Sequence, residues 1–162
     1  MSEQVIRNGA PVADSWVVVD EGALPAGDVL VPAARWLEER DTLAARPGRV
    51  GVVLTGDDDP ADLAADLASI PVIALAFPKF ADGRCYSHAR VLREHLGYTG
   101  ELRAIGEILR DQAFYLHRCG IDTFVLREDQ DAASFVKGLE DFSVKYQPAA
   151  DEAQPLWRRV RR

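Results

Sequence analysis

The feature that most constrains this chain is the regular alternation, from Val50 onward, of short apolar runs with patterns of helical spacing. Four runs rich in β-branched residues are typical of buried strands, at 50–54, 72–77, 102–105 and 123–126. The links are short, and neighbouring parallel strands need a helical crossover between them. The alternation therefore predicts an α/β fold of alternating strand–helix units with a mainly parallel sheet.

The first third of the chain is less regular, and it leaves the closure of the sheet open. Strands are predicted at 16–19 and 29–31, a helix begun by a proline at 32–45, and a last strand at 142–147. This spacing fits an open sheet and a partial TIM-like barrel equally. The uncovered edge of an incomplete barrel is compatible with an oligomer.

The length of 162 residues fits one domain followed by a short tail. We predict a single α/β domain over residues 1–150 and a basic C-terminal tail over 151–162. Four of the last five residues are arginine, and a charged terminus of this kind is predicted to be mobile.

The charge and the absence of long apolar runs oppose two classes of partner. The formal net charge is −7 and the pI is about 4.9, which opposes nucleic-acid binding by the whole surface. No apolar run approaches membrane-spanning length, and residues 1–16 lack the apolar centre of a signal peptide. We predict a cytoplasmic protein with neither a nucleic acid nor a membrane as its partner.

The chain carries no motif for a cofactor or a metal. It has no GxGxxG, GxxxxGK[ST], GxSxG or CxxC pattern. The two cysteines, Cys85 and Cys119, are too few for a cluster and are predicted to be buried free thiols. Adjacent aspartates in GDDDP, at 56–60, are predicted to cap a helix. Neither a cofactor nor a metal is therefore predicted.

Polar residues gather where the second of the four strands ends. Ligands of parallel α/β sheets bind beyond the carboxyl ends of the strands, which selects the loops after 54, 77 and 105. In the middle loop, Asp82 is a candidate helix cap, and Lys79 and Arg84 lie beside the amides that open the helix. This arrangement predicts an anion site. Its candidate residues are Lys79, Arg84, Tyr86, Ser87, Arg90 and Arg110.

The sequence is equally compatible with a purely structural role for these cations. Arginine and lysine beside a helix often cover apolar surface and pair with carboxylates. Candidate partners are Glu94, Glu107 and Asp111. A helix predicted over 107–119 places Glu107 and Asp111 one turn apart, and Asp111 is expected to pair with an arginine of the preceding unit.

A long stretch resembles a known family. The run FPKFADGRCYSHARVLREHLGYTGELRAIGEILRDQAFYLHRCGIDTFVLRE is similar to the signature block of the uncharacterised bacterial family catalogued as domain of unknown function 934. Similarity extends over about residues 28–147. The stretches that match the family pattern are 78–80, 82–84, 86–87, 89–90, 92–93, 100–103 and 110–112. Glycine commonly stands at the position of Cys85, so the resemblance gives this thiol no redox role.

The resemblance implies a place in sulfur metabolism, because members are often labelled oxidoreductases of sulfite reduction. It supplies no agreed catalytic residues, and the chain shows no site for the electron carrier that sulfite reduction needs. The expectation is an accessory protein of assimilatory sulfite or sulfate reduction. It would bind a small oxyanion or dock on the sulfite reductase or another enzyme of sulfate assimilation.

The alternative is a cofactor-independent α/β enzyme acting on an anionic sulfur or phosphate metabolite. In that case Lys79, Arg84 and Arg90 would hold the anion. Asp111 or Tyr86 would be the candidate for proton transfer.

Overall fold

The computed structural model describes residues 4–160, which form eight strands and five α-helices. The strands are β1 (Gln4–Arg7), β2 (Ala10–Val12), β3 (Val17–Val18), β4 (Val29–Pro32), β5 (Val50–Leu54), β6 (Val72–Phe77), β7 (Glu101–Gly106) and β8 (Thr123–Leu126). The helices are α1 (Ala33–Ala45), α2 (Arg84–Arg90), α3 (Ala113–Arg118), α4 (Ala132–Gly138) and α5 (Leu156–Arg159).

The eight strands form one open, mostly parallel sheet in the order β2-β1-β8-β7-β6-β5-β4-β3. Strands β3 to β8 are all parallel to one another, which confirms the predicted α/β fold with a mainly parallel sheet. Strand β1 is antiparallel to both β8 and β2. Asn8 and Gly9 join β1 to β2 with positive φ of 50° and 78°, as the two-residue hairpin turn requires.

The sheet must be strongly curled, because a very short link joins its two edges. Strands β2 and β3 lie at opposite edges, yet only residues 13–16 connect them. Seven strand spacings in a flat sheet amount to about 34 Å. A link of this length reaches about 18 Å when fully extended. Residues 13–16 therefore cross the concave side, which we call the concave face.

Helices α1 to α4 pack on the other face of the sheet, where the main core lies. Consecutive strands follow one another in one direction, so right-handed crossovers place their helices on the same side. Successive side chains of a strand point to opposite faces of the sheet. In β4, Val29 and Val31 belong to the main core, whereas Leu30 belongs to a smaller cluster on the concave face. In α2, Cys85 and Ala89 are in the main core.

Three sequence predictions about elements differ from the structure, and tertiary pairing explains the first of them. No strand forms at 142–147, because the outer edge of β8 is already paired with β1. The helix predicted over 107–119 begins later: a 3-10 turn covers Arg110–Gln112 and α3 follows it. Glu107 lies before this turn, so it does not share a helical face with Asp111. In the stretch after GDDDP, regular helix is limited to the 3-10 turn Pro60–Leu63.

The described part of the predicted tail, residues 151–160, makes specific contacts. The Asp151 carboxylate pairs with Arg118 and Lys145. The backbone N–H of Leu156 donates to the Tyr146 carbonyl at 2.9 Å and so attaches α5 to the preceding segment. Mobility of the tail stays a prediction, and residues 161–162 lie outside the described part.

Candidate functional site

Arg84 joins two of the three loops at the carboxyl ends of the strands. Its guanidinium pairs with Asp57, from the loop after β5, and with Asp82, from its own loop. Asp82 Oδ1 also accepts a hydrogen bond from the Arg84 backbone N–H at 3.2 Å. Hydrogen bonds from Arg84 lower the pKa of Asp82 to about 2. Two carboxylates therefore occupy the positions where the predicted anion would contact this arginine.

The other predicted residues of this loop and helix are distributed around its surface. Lys79 and Ser87 are exposed. Tyr86 is half-buried, with its ring 5.4 Å from Phe77 and 5.2 Å from Tyr115 between centroids. Burial raises the pKa of the Tyr86 hydroxyl to about 12, so this group is a proton donor rather than a base at neutral pH.

Arg90 and Arg110 also have carboxylate partners, and they lie on separate parts of the surface. Arg90 pairs with Glu94 one turn along its helix. Arg110 forms a two-bond pair with Asp141, at 3.0 and 2.7 Å. Asp111 is exposed and makes no ion pair within residues 4–160. The expected pairing of Asp111 with an arginine of the preceding unit is therefore wrong. The structure does not gather the six predicted anion-binding residues into one cradle, and anion binding by them stays a prediction.

Arg93, next to the predicted set, acts at the opposite end of the sheet. Its guanidinium donates to the carbonyls of Tyr98, Gly100 and Gly120 at 2.7–2.9 Å. It also donates to the Asp122 carboxylate at 2.8 Å. These groups precede β7 and β8, so Arg93 holds together the connections that lead into two central strands.

Both thiols are buried, as predicted. Cys85 and Cys119 are free and almost inaccessible. Burial raises the pKa of the Cys85 thiol to about 12 and that of Cys119 to about 11. The reactive thiolate form is therefore scarce at neutral pH.

The concave face holds a charged network that sequence reasoning missed. Arg103 of β7 is 1% exposed. Its guanidinium donates to both carboxylate oxygens of Asp14, at 2.9 and 3.2 Å. On its other side it donates from Nε to Glu101 at 2.8 Å, and Glu101 also pairs with Arg7. Burial opposes the charge of Arg103, but the hydrogen bonds and charges of Asp14 and Glu101 outweigh burial and raise its pKa.

Beside this network lies a pocket of about 250 Å³ that reaches the carboxyl rim of the sheet. Its inner end is formed by Arg103 and Asp14, and its walls include Trp16 and apolar strand residues. At the rim, Glu107 pairs with Arg127. In α/β barrels, ligands likewise enter at the carboxyl ends of the strands. We call this pocket, whose walls combine apolar and charged side chains, the concave pocket.

One sequence signal could have indicated this network. In ELRAIG, Glu101 and Arg103 alternate with Leu102 and Ala104, which places two charges on one face of a strand. Their partner Asp14 has no such signal, because it lies in the irregular first third of the chain.

Comparison with known families agrees with the resemblance noted above. The family model described as a bacterial protein of unknown function, DUF934, matches residues 51–157. The chain belongs to the DUF934 family. The DUF934 match includes β5 to β8, α2 to α4 and the start of α5. Asp14 and Trp16 lie before the matched region. A search of curated proteins finds none that matches this chain.

Two further searches of the described residues were negative. None of the helices within residues 4–160 is long and apolar enough to cross a membrane. In the same part of the chain, no group of three or more His, Cys, Asp or Glu residues is arranged to hold a metal ion.

Proposed function

We propose that the protein is an accessory protein of assimilatory sulfite and sulfate reduction that docks on the sulfite reductase. The pathway comes from the family resemblance. The docking mode is supported by one structural observation, an exposed apolar and basic surface near the C-terminus. We call it the C-terminal surface. Its exposed apolar residues are Phe142, Val144, Tyr146, Trp157 and Val160.

The C-terminal surface has the composition of a protein-binding site. Its apolar side chains are 59–65% exposed, although all five are large. Aromatic residues and arginine are enriched where proteins bind one another, and clustered exposed apolar groups mark such sites. Trp157 carries the Arg158 guanidinium 4.8 Å from its ring centroid, so an aromatic anchor and a cation are presented together.

The charge of this surface specifies the kind of partner. The chain as a whole has a net charge of −7, yet on this surface Trp157 is followed directly by Arg158 and Arg159. A basic patch on an acidic protein favours an acidic patch on the partner and one orientation of approach. We therefore expect the reductase to present carboxylates around an apolar recess that accepts Trp157.

The carboxyl loops give less support to the other form of the proposal, oxyanion binding by the accessory protein. Arg84, Arg90 and Arg110 all have carboxylate partners. An incoming oxyanion would have to displace those carboxylates. Docking through the C-terminal surface requires no such exchange.

The test is capture of the purified sulfite reductase haemoprotein by the purified protein, measured in parallel with Trp157→Ser. Removing an exposed aromatic anchor at the centre of an interface typically costs about 2 kcal/mol, or about 30-fold in affinity. Phe80→Ser is the matched control, since Phe80 is also aromatic and 51% exposed but lies in a carboxyl loop. We expect W157S to lose capture and F80S to retain it.

A gene deletion separates the pathway from the docking mode. The deletion strain should grow poorly on sulfate and on sulfite and normally on cysteine. Equal growth on all three sulfur sources would show the pathway assignment to be wrong. Full complementation by the W157S gene would show instead that the C-terminal surface is not the docking site.

The concave pocket favours a second candidate function, a cofactor-independent enzyme acting on an anionic sulfur or phosphate metabolite. A pocket at the carboxyl rim is where α/β enzymes keep their sites. The anion holders expected from the sequence, Lys79, Arg84 and Arg90, do not line this pocket, and neither do Asp111 and Tyr86, the candidates for proton transfer. In this candidate the anion is therefore held by Arg103, which does line it. Turnover of sulfonate or phosphate metabolites by the purified protein, lost in Arg103→Lys, would favour this candidate over docking.

A further inference from the structure

The Asp14 carboxylate is held by Arg103 in the geometry of a bound ligand. Two parallel hydrogen bonds join the carboxylate oxygens to Nη1 and Nη2. This forked arrangement is how arginine recognises carboxylates, sulfonates and phosphates in general. The two residues are 89 positions apart, so Asp14 is brought to Arg103 by the short crossing link and not by its own strand.

The link that carries Asp14 is weakly tied to the sheet. Within the described chain, residues 13–16 make no backbone–backbone hydrogen bond. Side chains hold it: Asp14 pairs with Arg103, the Ser15 hydroxyl donates to Asp28 at 3.2 Å, and Trp16 packs on the concave cluster. Among the described residues, moving Asp14 away therefore breaks one ion pair and no backbone–backbone hydrogen bond.

Arg103 would remain well placed without Asp14. Its Nε still donates to Glu101, and Glu101 is also held by Arg7. The remaining side chains, Arg7, Glu101 and Arg103, carry one net positive charge, and of the three it is Arg103 that lines the pocket. A buried cation left in this state attracts an anion strongly.

The walls of the pocket determine what the anion is attached to. Leu30, Ile105 and Val125 line it together with the Trp16 ring. A bare inorganic oxyanion would leave these apolar groups in contact with water, whereas a short apolar body would cover them. The volume of about 250 Å³ limits that body to a small one.

We propose that the concave pocket binds a small organic anion, a carboxylate, sulfonate or phosphate on a short apolar body, whose head group displaces Asp14 from Arg103. Asp14 acts as an internal competitor that occupies the arginine until the ligand enters. This ligand site does not rest on docking, and its test uses the purified protein alone.

The test is calorimetric titration of benzenesulfonate into the wild type and into Asp14→Ala. Removing the internal competitor is expected to tighten binding by about tenfold or more, because the competent form is no longer a minor fraction. Benzenesulfonamide, with the same ring and no charge, should not bind. The indole N–H signal of Trp16 should shift in the NMR spectrum of both proteins and so locate the ligand in this pocket.

Matched variants make each result decisive. Asp57→Ala removes a carboxylate from an exposed arginine, Arg84, and should leave benzenesulfonate binding unchanged. Arg103→Lys in the Asp14→Ala background keeps the charge, loses the forked donor and should abolish the gain. If either alanine-for-aspartate variant proves unfolded by circular dichroism, the corresponding asparagine variant replaces it.

Three outcomes would overturn the proposal. D14A could bind no more tightly than the wild type, or D57A could gain as much as D14A. Inorganic sulfate could bind as tightly as benzenesulfonate, in which case the apolar walls do not select the ligand. A failure in any of these would leave docking on the reductase untouched, because Trp157 lies outside the lining of the pocket.

Discussion

Replacing Arg93 by methionine should destabilise the fold strongly, although the sequence pattern alone places Arg93 on the surface of a helix. The guanidinium makes hydrogen bonds to three carbonyls and to Asp122, and the side chain is only 16% exposed. Methionine keeps most of the apolar stem and removes all of these donors. Breaking a buried charged pair typically costs about 3–5 kcal/mol. Partial access of water argues for the lower end, about 3 kcal/mol.

For a chain of this length, about 3 kcal/mol corresponds to a fall in Tm of about 6–12 °C. Urea unfolding followed by circular dichroism measures the change in the free energy of unfolding. Arg90→Met is the matched control, since Arg90 pairs with Glu94 on the same helix but in solvent. An exposed pair at this spacing is worth about 0.5 kcal/mol.

The pH dependence of the Arg93→Met effect gives a second, independent readout. Burial raises the pKa of Asp122, and Arg93 partly opposes that rise. Without Arg93 the pKa of folded Asp122 moves still higher above its unfolded value. A carboxyl group whose pKa is raised by folding destabilises the folded state at neutral pH. This destabilisation decreases as the pH falls through the pKa of the folded state. The stability gap between wild type and variant should therefore narrow from about pH 7 to about pH 5. A cost no larger than that of R90M, or a gap that widens toward pH 5, would refute the reasoning.

Two further predictions concern the cysteines and a glycine at the end of β7. The thiols of Cys85 and Cys119, with pKa values raised by burial to about 12 and about 11, should react with a thiol reagent at least about tenfold more slowly in native than in urea-unfolded protein. Rapid labelling of the native protein would contradict this. Gly106→Ala should cost at least about 2 kcal/mol, because Gly106 has φ +97° and an added Cβ would lie 2.5 Å from the Phe77 carbonyl oxygen. Gly22→Ala, with φ +83° and open space, isolates the backbone strain and should cost measurably less in the same urea titration.

The elements with strong local patterns could be predicted from the sequence. The strand at Val50–Leu54 and that at Val72–Phe77 have the predicted bounds, because nearly all of their residues are buried and most are apolar. The helix Ala33–Ala45 starts after the proline that was expected to begin it. The inward position of Cys85 follows from helical periodicity alone.

Elements that depend on pairing could not be predicted in this way. Segment 142–147 has an alternating pattern suited to a strand, but β1 already occupies the edge of β8 that it would need. The Asn8–Gly9 turn, which joins β1 to β2, is a local sequence signal. Its effect on segment 142–147 is not local, because it depends on the pairing of β1 with β8. The pairing of β1 with β8 thus prevents a segment more than a hundred residues away from forming a strand.

The features of the candidate site also fall into those that the sequence predicts and those that depend on the tertiary structure. The sequence by itself determined the alternation of strands and helices from Val50 onward, the cationic loop around Arg84 and the family. Only the tertiary structure placed Asp57 on Arg84 and Asp14 on Arg103. The physical reason is that a buried arginine is stable only with partners, and the curl of the sheet decides which carboxylates can reach it. A four-residue link across the concave face supplied Asp14, and no pattern within those four residues reveals where it goes.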